Sequence, residues 1–314
     1  MVSFSRTVKE EIVFNDFDTC CGKAILSALI KINGTLALSH LGISLDIRTE
    51  NAKIASKIHK LLKEIYQPNI EFKVQKKMRL KKNNVYVVRV NKAREILDDL
   101  GLYAGFGLTD VPQGEITSKE CCKRAFLAGA FLAAGSVNHP STANYHLEIA
   151  ITNEELASFI QYLMNYFQLN AKVIKRRQKF IVYLKSAEKI GDFLGLVGAS
   201  SSYLSYESIR IDRDFINSLN RLDNCEIANE MKTMNAANQQ IEDIETIQEH
   251  LGLEFLDEKT QVIAKVRLAN PEASLNELAV LYEEETGQKI SKSGLHHRFK
   301  KMKEEASRLR TMEE

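Results

Sequence analysis

The 314-residue sequence lacks any run of about 18 or more apolar residues, so hydropathy gives it no transmembrane helix. Its opening stretch, MVSFSRTVKEEI, lacks the apolar core and small-residue cleavage site of a signal peptide. A cytoplasmic location, with no membrane association, is the expectation. The five cysteines lack the C-x-x-C spacing of a zinc site and stand as Cys20-Cys21, Cys121-Cys122 and a lone Cys225. An odd count in a reducing compartment points to buried thiols, and no metal or other cofactor is expected. Net charge is nearly absent too, at +2, but that average hides blocks of opposite sign. With 44% hydrophobic and 27% charged residues, the composition is that of a globular protein, and the length suits two domains.

What the chain does have is an internal repeat. CCGKAILSALIKING (residues 20–34) aligns with CCKRAFLAGAFLAAG (121–135) at a spacing of 101 residues. LDIRTENAKIASKI (45–58) aligns with LEIAITNEELASFI (147–160), and YVVRVNKAREILDDLGL (86–102) with FIVYLKSAEKIGDFLGL (180–196). Three collinear blocks make chance similarity of one apolar helix an inadequate explanation. Each copy reads as helix, two strands, helix, two strands, helix. The first helix of each copy ends at Gly34 or Gly135, where a C-cap glycine belongs. LALSH, ISLDIR and YHLEIAI read as strands, and NAKIASKIHKLLKEIY and EELASFIQYLMNYF as amphipathic helices.

Within the repeat, LAGAFLAAG (127–135) nearly spells a nuclease signature, and the arrangement resembles the single-chain LAGLIDADG homing endonucleases. The resemblance implies two signature helices packed side by side at a pseudo-two-fold axis. Ala24 and Ala28, and Ala125 and Gly129, recur at i,i+4 and suit that close approach. It also implies that each helix should end in an acid that holds a divalent metal, because Mg²⁺ requires charged oxygen ligands. Here Lys31 and Asn33 in one copy, and Leu132 and Ala134 in the other, occupy the acid positions. The fold is therefore expected without the chemistry, and no catalytic residue is assigned. A residual metal-dependent endonuclease would have to use other acids, of which Asp18, Asp46 and Glu148 lie nearest in sequence.

Two basic hairpins follow the same repeat. Residues 72–94 hold nine Lys or Arg and no acid, and residues 172–185 hold six and no acid. The resembled fold would spread such strands as a saddle over DNA. Lys76, Lys77, Arg79, Lys81, Lys82, Lys175, Arg176, Arg177 and Lys179 are its candidate contacts.

After Gly195 the repeat stops, and LVGASSSYLSYES (196–208) reads as a loop or linker. Ile227, Met231, Met234, Ile241, Ile244 and Leu251 keep helical spacing, which predicts one long helix. Residues 242–258 carry seven acids and no Lys or Arg, a stretch that DNA would repel and that separates two basic modules. The last segment reads as a helix-turn-helix. One helix stops near Pro271, the next opens on a Ser274/Glu277 capping box, Gly287 makes the turn, and a basic helix follows. At 100° per residue, Ser293, His297 and Lys300 point away from an apolar face of Leu295, Phe299, Met302, Ala306 and Leu309. With Ser291, Lys292, His296, Arg298 and Lys301 they form the candidate DNA contacts. The adjacent histidines diverge too far to read as a metal pair.

The combination resembles the WhiA family of bacterial transcription and cell-division regulators. FSRTVKEEI, NRLDNCEIANEMKT (220–233) and ISKSGLHHRFKKM (290–302) carry that resemblance. Arg221, Asn224, Asn229 and Lys232 are expected to organise the domain junction. The expected architecture is α+β: a LAGLIDADG-like domain of two α-β-β-α-β-β-α repeats (1–103 and 104–205), a linker with a long helix (206–256), and an all-α helix-turn-helix domain (257–314). The resemblance implies a non-enzymatic, nucleoid-associated protein that binds double-stranded DNA. It also implies roles in cell division and chromosome segregation, with transcription or division proteins as partners. The alternative to sequence reading is a protein-interaction module of the division machinery.

Overall fold

A computed structural model of the chain describes residues 3–39, 42–76, 84–104 and 107–312. The chain forms two compact units, Met1–Asp214 and Phe215–Glu314. Among the described residues no helix is long and apolar enough to cross a membrane.

The first unit opens with helix α1 (Phe4–Phe14). The first repeat then runs α2 (Thr19–Asn33), β1 (Gly34–Ser39), β2 (Gly42–Thr49), α3 (Ala52–Ile65), β3 (Ile70–Lys76), β4 (Asn84–Val90) and α4 (Arg94–Asp99). A short ribbon of β5 (Tyr103–Ala104) and β6 (Gly107–Leu108) and a 3₁₀ turn at Gly114–Thr117 lead to the second. That repeat runs α5 (Glu120–Ala134), β7 (Gly135–Val137), β8 (Leu147–Ile151), α6 (Glu154–Tyr166), β9 (Lys172–Arg176), β10 (Lys179–Leu184) and α7 (Ala187–Leu196). The α-β-β-α-β-β-α order read from the sequence is present in both copies. The two antiparallel sheets have the same strand order, β1-β2-β4-β3 and β7-β8-β10-β9. The first strand of each basic hairpin, β3 or β9, is thus an edge strand of its sheet.

The two signature helices form the centre of this unit. Ala24, Ile25 and Ala28 of α2 and Ala125, Phe126 and Ala128 of α5 are buried. A Cβ on Gly129 would lie 2.7 Å from the Ile25 carbonyl oxygen and 2.9 Å from Ala28 Cβ, so small residues set the helix separation. Around the pair, Phe126, Phe131 and Phe193 are fully buried. Each contributes about 1.5–3 kcal/mol through lost water contact.

Three sequence expectations change here. Gly34 and Gly135 do cap their helices, but with extended backbone (φ −83° and −78°) rather than left-handed. Glycine is needed there for space: a Cβ at Gly34 would meet the Ile30 carbonyl oxygen at 2.3 Å, and one at Gly135 the Phe131 ring at 2.1 Å. Residues 200–208 are not a loop, because helix α8 (Ser200–His250) begins there. The Glu11 carboxylate of α1 accepts from Ser201 N (2.6 Å), Ser202 N (2.9 Å) and Ser202 Oγ (2.6 Å), which satisfies the first-turn amides. Buried Tyr206 then anchors the second turn. Finally, of the thiols expected to be buried only Cys21 and Cys122 are; Cys121 and Cys225 are exposed.

The second unit packs the end of α8 with α9 (Glu258–Ala269), α10 (Leu275–Thr286) and α11 (Lys292–Met312). Ile244 and Ile247 of α8 share one core with Ile263, Ala264, Leu278, Tyr282, Leu295, Phe299, Met302 and Ala306. Ile227, Met231 and Met234, part of the same predicted helix, are exposed.

Candidate nucleic-acid interface

The geometry of α11 follows from local rules. Ser274 accepts from Glu277 N at 3.3 Å while the Glu277 carboxylate accepts from Ser274 N at 2.7 Å, closing the capping box that starts α10. Gly287 ends α10 in the left-handed conformation (φ 69°) and turns the chain toward α11. Ser291 Oγ accepts from Gly294 N at 3.1 Å and starts α11. Leu295, Phe299, Met302 and Ala306 fill the core, as their spacing predicts. Ser291, Lys292, Ser293, His296, His297, Lys300 and Lys301 are exposed on the remaining face.

Arg298 stands apart from that set. Its guanidinium donates to Asp257 Oδ1 (2.8 Å) and Thr260 Oγ1 (2.6 Å) at the start of α9. With Thr260 and Arg298 as donors, the Asp257 carboxyl is held below its usual range. Arg267, 1% exposed, is a second organising cation. It donates to Gln240 Oε1 (3.0 Å) and to the carbonyl oxygens of Asn270 (3.3 Å), Pro271 (3.4 Å) and Ala273 (2.6 Å), fixing the α9–α10 turn. Burial lowers its pKa. The acidic stretch is also partly neutralised: buried Asp243 pairs with Arg310 of α11 at 3.0 Å. A groove of about 680 Å³ between α8 and α11 is lined by His296, Lys300, Lys303 and Arg308, facing Gln239 and Asp243. Arg221, Asn224, Asn229 and Lys232, expected at the domain junction, are all exposed on α8. Lys232 lines a cleft of about 210 Å³ with Arg267 and Lys292.

In the first unit the positions of the missing acids are occupied by groups with other tasks. Lys31 donates to the Thr109 carbonyl oxygen, and burial lowers its pKa. Asn33 Nδ2 donates to the Ala133 carbonyl oxygen at 3.4 Å, bridging the two repeats. Leu132 is buried, and Ala134 packs against the core. The other acids do not converge there. Asp46 accepts two bonds from Arg89 (2.6 and 2.7 Å) across paired strands, which holds its carboxyl below the usual range. Glu148, at the matching position of the second sheet, meets His146 Nε2 at 3.1 Å. Asp18 precedes α2, about 22 Å along the helix from its C-terminal end.

The grooves beside these helix ends are basic instead. One of about 850 Å³ is lined by Arg6, Lys9, Asn33, Arg48, Glu50 and Lys76, and its counterpart of about 370 Å³ by Lys31, Asn33 and Lys179. Burial pulls the Lys9 ammonium down to about 8. Arg6, Lys9 and Arg48 were not legible as site residues. The first two lie on α1, outside the repeat, and Arg48 is a single basic residue on β2.

The saddle cations divide between faces. Arg176 pairs with Lys179 across β9 and β10, so both extend from one face of their sheet. Lys175 pairs with Phe180 on the other face, its ammonium 5.3 Å from that ring centre. Arg177 makes the hairpin turn at φ 57° and is exposed. Lys76 ends β3, while Lys77, Arg79, Lys81 and Lys82 lie outside the described residues.

Comparison with known proteins covers nearly the whole chain. Sequence profiles match the WhiA N-terminal LAGLIDADG-like domain over residues 19–103, the WhiA LAGLIDADG-like domain over 123–216 and the WhiA C-terminal HTH domain over 219–306. A protein of Bacillus thuringiensis named probable cell division protein WhiA is 49% identical over 315 residues, covering 100% of this chain and 98% of that one. Its namesake from Shouchella clausii is 48% identical over 313 residues, covering 98% and 95%. The crystal structure of full-length WhiA from Thermatoga maritima superposes with a TM-score of 0.59 at 26% identity, covering 98% of this chain and 99% of that one.

Proposed function

The chain belongs to the WhiA family, and from that premise we propose that it is a non-catalytic cytoplasmic regulator that reads double-stranded DNA through α11. The observation that carries this reading is the exposed face of α11, where Ser293, His297 and Lys300 stand opposite a fully packed apolar face. A helix so mounted enters a major groove with its N-terminal residues at base edges. Ser291, Lys292 and Ser293 open the helix there, and His296, His297, Lys300 and Lys301 continue the contact face. Ser, His and Lys supply hydrogen bonds to base edges or phosphates. Arg298 acts by fixing α11 on α9. The relatives' names support a role linked to cell division, and regulation of transcription and chromosome segregation would follow from where the protein binds.

The LAGLIDADG-like repeats serve in this reading as a second, sequence-independent surface. Lys9, Lys31, Arg48, Lys76 and Lys179 surround the helix ends where a nuclease would hold metal between acids. Cations there attract phosphate but cannot activate water with a divalent ion.

Fluorescence anisotropy with a labelled duplex at several salt concentrations tests the division of labour. Each phosphate contact contributes about 0.9 to the log–log salt slope. Arg176→Ala with Lys179→Ala should lower the slope by about 2 and leave discrimination between duplexes unchanged. An unchanged slope would remove the saddle from DNA contact. Cleavage of any duplex with Mg²⁺ or Mn²⁺ would overturn the non-catalytic assignment.

A further inference from the structure

The pseudo-two-fold arrangement brings together groups that the DNA-binding reading does not use. Cys20 and Cys21 lie in the first turn of α2, and Cys121 and Cys122 in the first turn of α5. The helices pack side by side, and all four Sγ atoms lie within 4.8 Å of one another. Among the described residues this is the group of metal-ligating side chains that converges in this way. We infer that the four thiols form a tetrathiolate site for a single soft divalent ion of the zinc class, which clasps the two repeats at the start of their central helices.

Four features of the cluster support the assignment. The first is distance: a tetrahedral ion with metal–sulfur bonds of about 2.3 Å separates its sulfurs by about 3.8 Å. The four sulfurs are within an ångström or so of that arrangement already, and Cys121 and Cys122 Sγ are 3.9 Å apart. So tight a cluster surrounds one ion, not a multi-iron cluster whose ligands must enclose several metal atoms.

The second is ligand chemistry. Four thiolates and no oxygen ligand select a soft, thiophilic ion and complete a closed, structural site. Binding exchanges four thiol protons for one dication, so the protons leave to solvent and two negative charges remain.

The third is the electrostatic setting. Both helices begin at these cysteines, and neither N-cap side chain, Asp18 or Lys119, accepts a first-turn amide. The positive ends of two helices and the neighbouring Lys119 ammonium oppose the residual charge. The fourth is access. Cys21 and Cys122 are buried, Cys20 is half-buried and Cys121 is exposed, which gives an ion a route in and a dry floor.

Disulfides compete poorly. Neighbouring residues have Cα atoms about 3.8 Å apart, too close for a bridge that needs at least about 4.4 Å, so neither pair can close on itself within a helix. Only a bridge between helices, such as Cys20 to Cys122, would be a rival.

The test is titration of the reduced full-length protein with Co²⁺ under anaerobic conditions, followed by Zn²⁺. One Co²⁺ per chain should give the intense charge-transfer and ligand-field bands of four-coordinate cobalt thiolate, and one equivalent of Zn²⁺ should bleach them. Cys225→Ser should leave the titration unchanged. Disturbing an outer-shell partner weakens metal sites by about 10–100-fold, so losing a ligand in Cys20→Ser or Cys122→Ser should weaken Co²⁺ binding about 100-fold or more. If those variants fail to fold, alkylation of the wild type decides the matter. Zn²⁺ should protect the accessible Cys20 and Cys121 from iodoacetamide while the exposed Cys225 still reacts, and equal labelling of all three with and without Zn²⁺ would overturn the assignment. No cobalt–thiolate bands, or bands that survive in Cys20→Ser with Cys122→Ser, would overturn the assignment. So would a Cys20–Cys122 disulfide in protein alkylated at lysis, which would give the cluster a redox role instead.

Discussion

The same substitution should have opposite effects at two glycines of the first unit. Gly129 and Gly195 are both helical, in α5 and α7. Alanine is favoured over glycine in a helix interior by up to about 1 kcal/mol, so backbone preference alone makes both changes stabilising. Space decides otherwise at Gly129. Its new Cβ would lie 2.7 Å from the Ile25 carbonyl oxygen and 3.1 Å from Ile25 Cα, which are backbone atoms of the facing helix. Overpacking of that kind costs about 1–3 kcal/mol. The net for Gly129→Ala is a loss of up to about 2 kcal/mol, whereas Gly195, with nothing within 4 Å, should gain about 0.5–1 kcal/mol. For a unit of 214 residues, about 2–4 °C accompanies each kcal/mol. Thermal unfolding followed by circular dichroism should show Tm falling for Gly129→Ala, by up to ~8 °C, and rising by ~1–4 °C for Gly195→Ala. A rise in both, or a fall in both, would refute the argument that helix contact, not helix propensity, selects glycine at Gly129.

Other expectations rest on single contacts. Glu11→Ala removes the carboxylate that caps α8 and should cost about 1–2 kcal/mol, with faster amide hydrogen exchange at Ser201 and Ser202. Lys9 is held at about 8 when folded, against about 10.4 unfolded. The unfolded chain therefore binds more protons between those values, and stability should rise as pH climbs from about 8 to 10. Urea midpoints should show that Lys9→Met abolishes this share of the rise. Arg298→Met breaks two short bonds to the start of α9 and should destabilise the helical unit by about 1–3 kcal/mol in denaturant unfolding. Lys300→Ala, whose ion pair with Glu304 is exposed and 3.9 Å long, should shift stability by less than about 0.5 kcal/mol yet weaken DNA binding in anisotropy titrations.

The repeat was the most legible feature of the sequence, because three aligned blocks fix element order and the central helix pair together, while the strand order within each sheet came only from the structure. The outward face of α11 was legible for a similar reason: helical spacing of Leu295, Phe299, Met302 and Ala306 leaves the opposite side to solvent. Contacts distant in sequence were not. Nothing local marks Glu11 as the cap of a helix beginning 189 residues later, so the small and serine-rich start of α8 reads as a loop. Arg298 looks like one more basic residue until Asp257 and Thr260 are placed beside it. The cysteine pairs served as repeat markers, and the missing C-x-x-C spacing argued against metal. Yet the same 101-residue register that aligned them implies that a pseudo-two-fold axis could bring all four together.

In the proposed function, α11 reads DNA sequence while the basic surface of the repeats adds only affinity. Selection of bound sequences from a random duplex pool, with Mg²⁺ present, separates these two contributions. The proteins compared would be the wild type, His297→Ala with Lys300→Ala, and Arg176→Ala with Lys179→Ala, both variants first shown to unfold at the wild-type temperature. The expected result is one enriched motif, recovered uncut, that is lost with the α11 variant and kept with the saddle variant. A motif that survives the α11 substitutions and disappears with the saddle substitutions would contradict the claim and move sequence reading to the LAGLIDADG-like repeats.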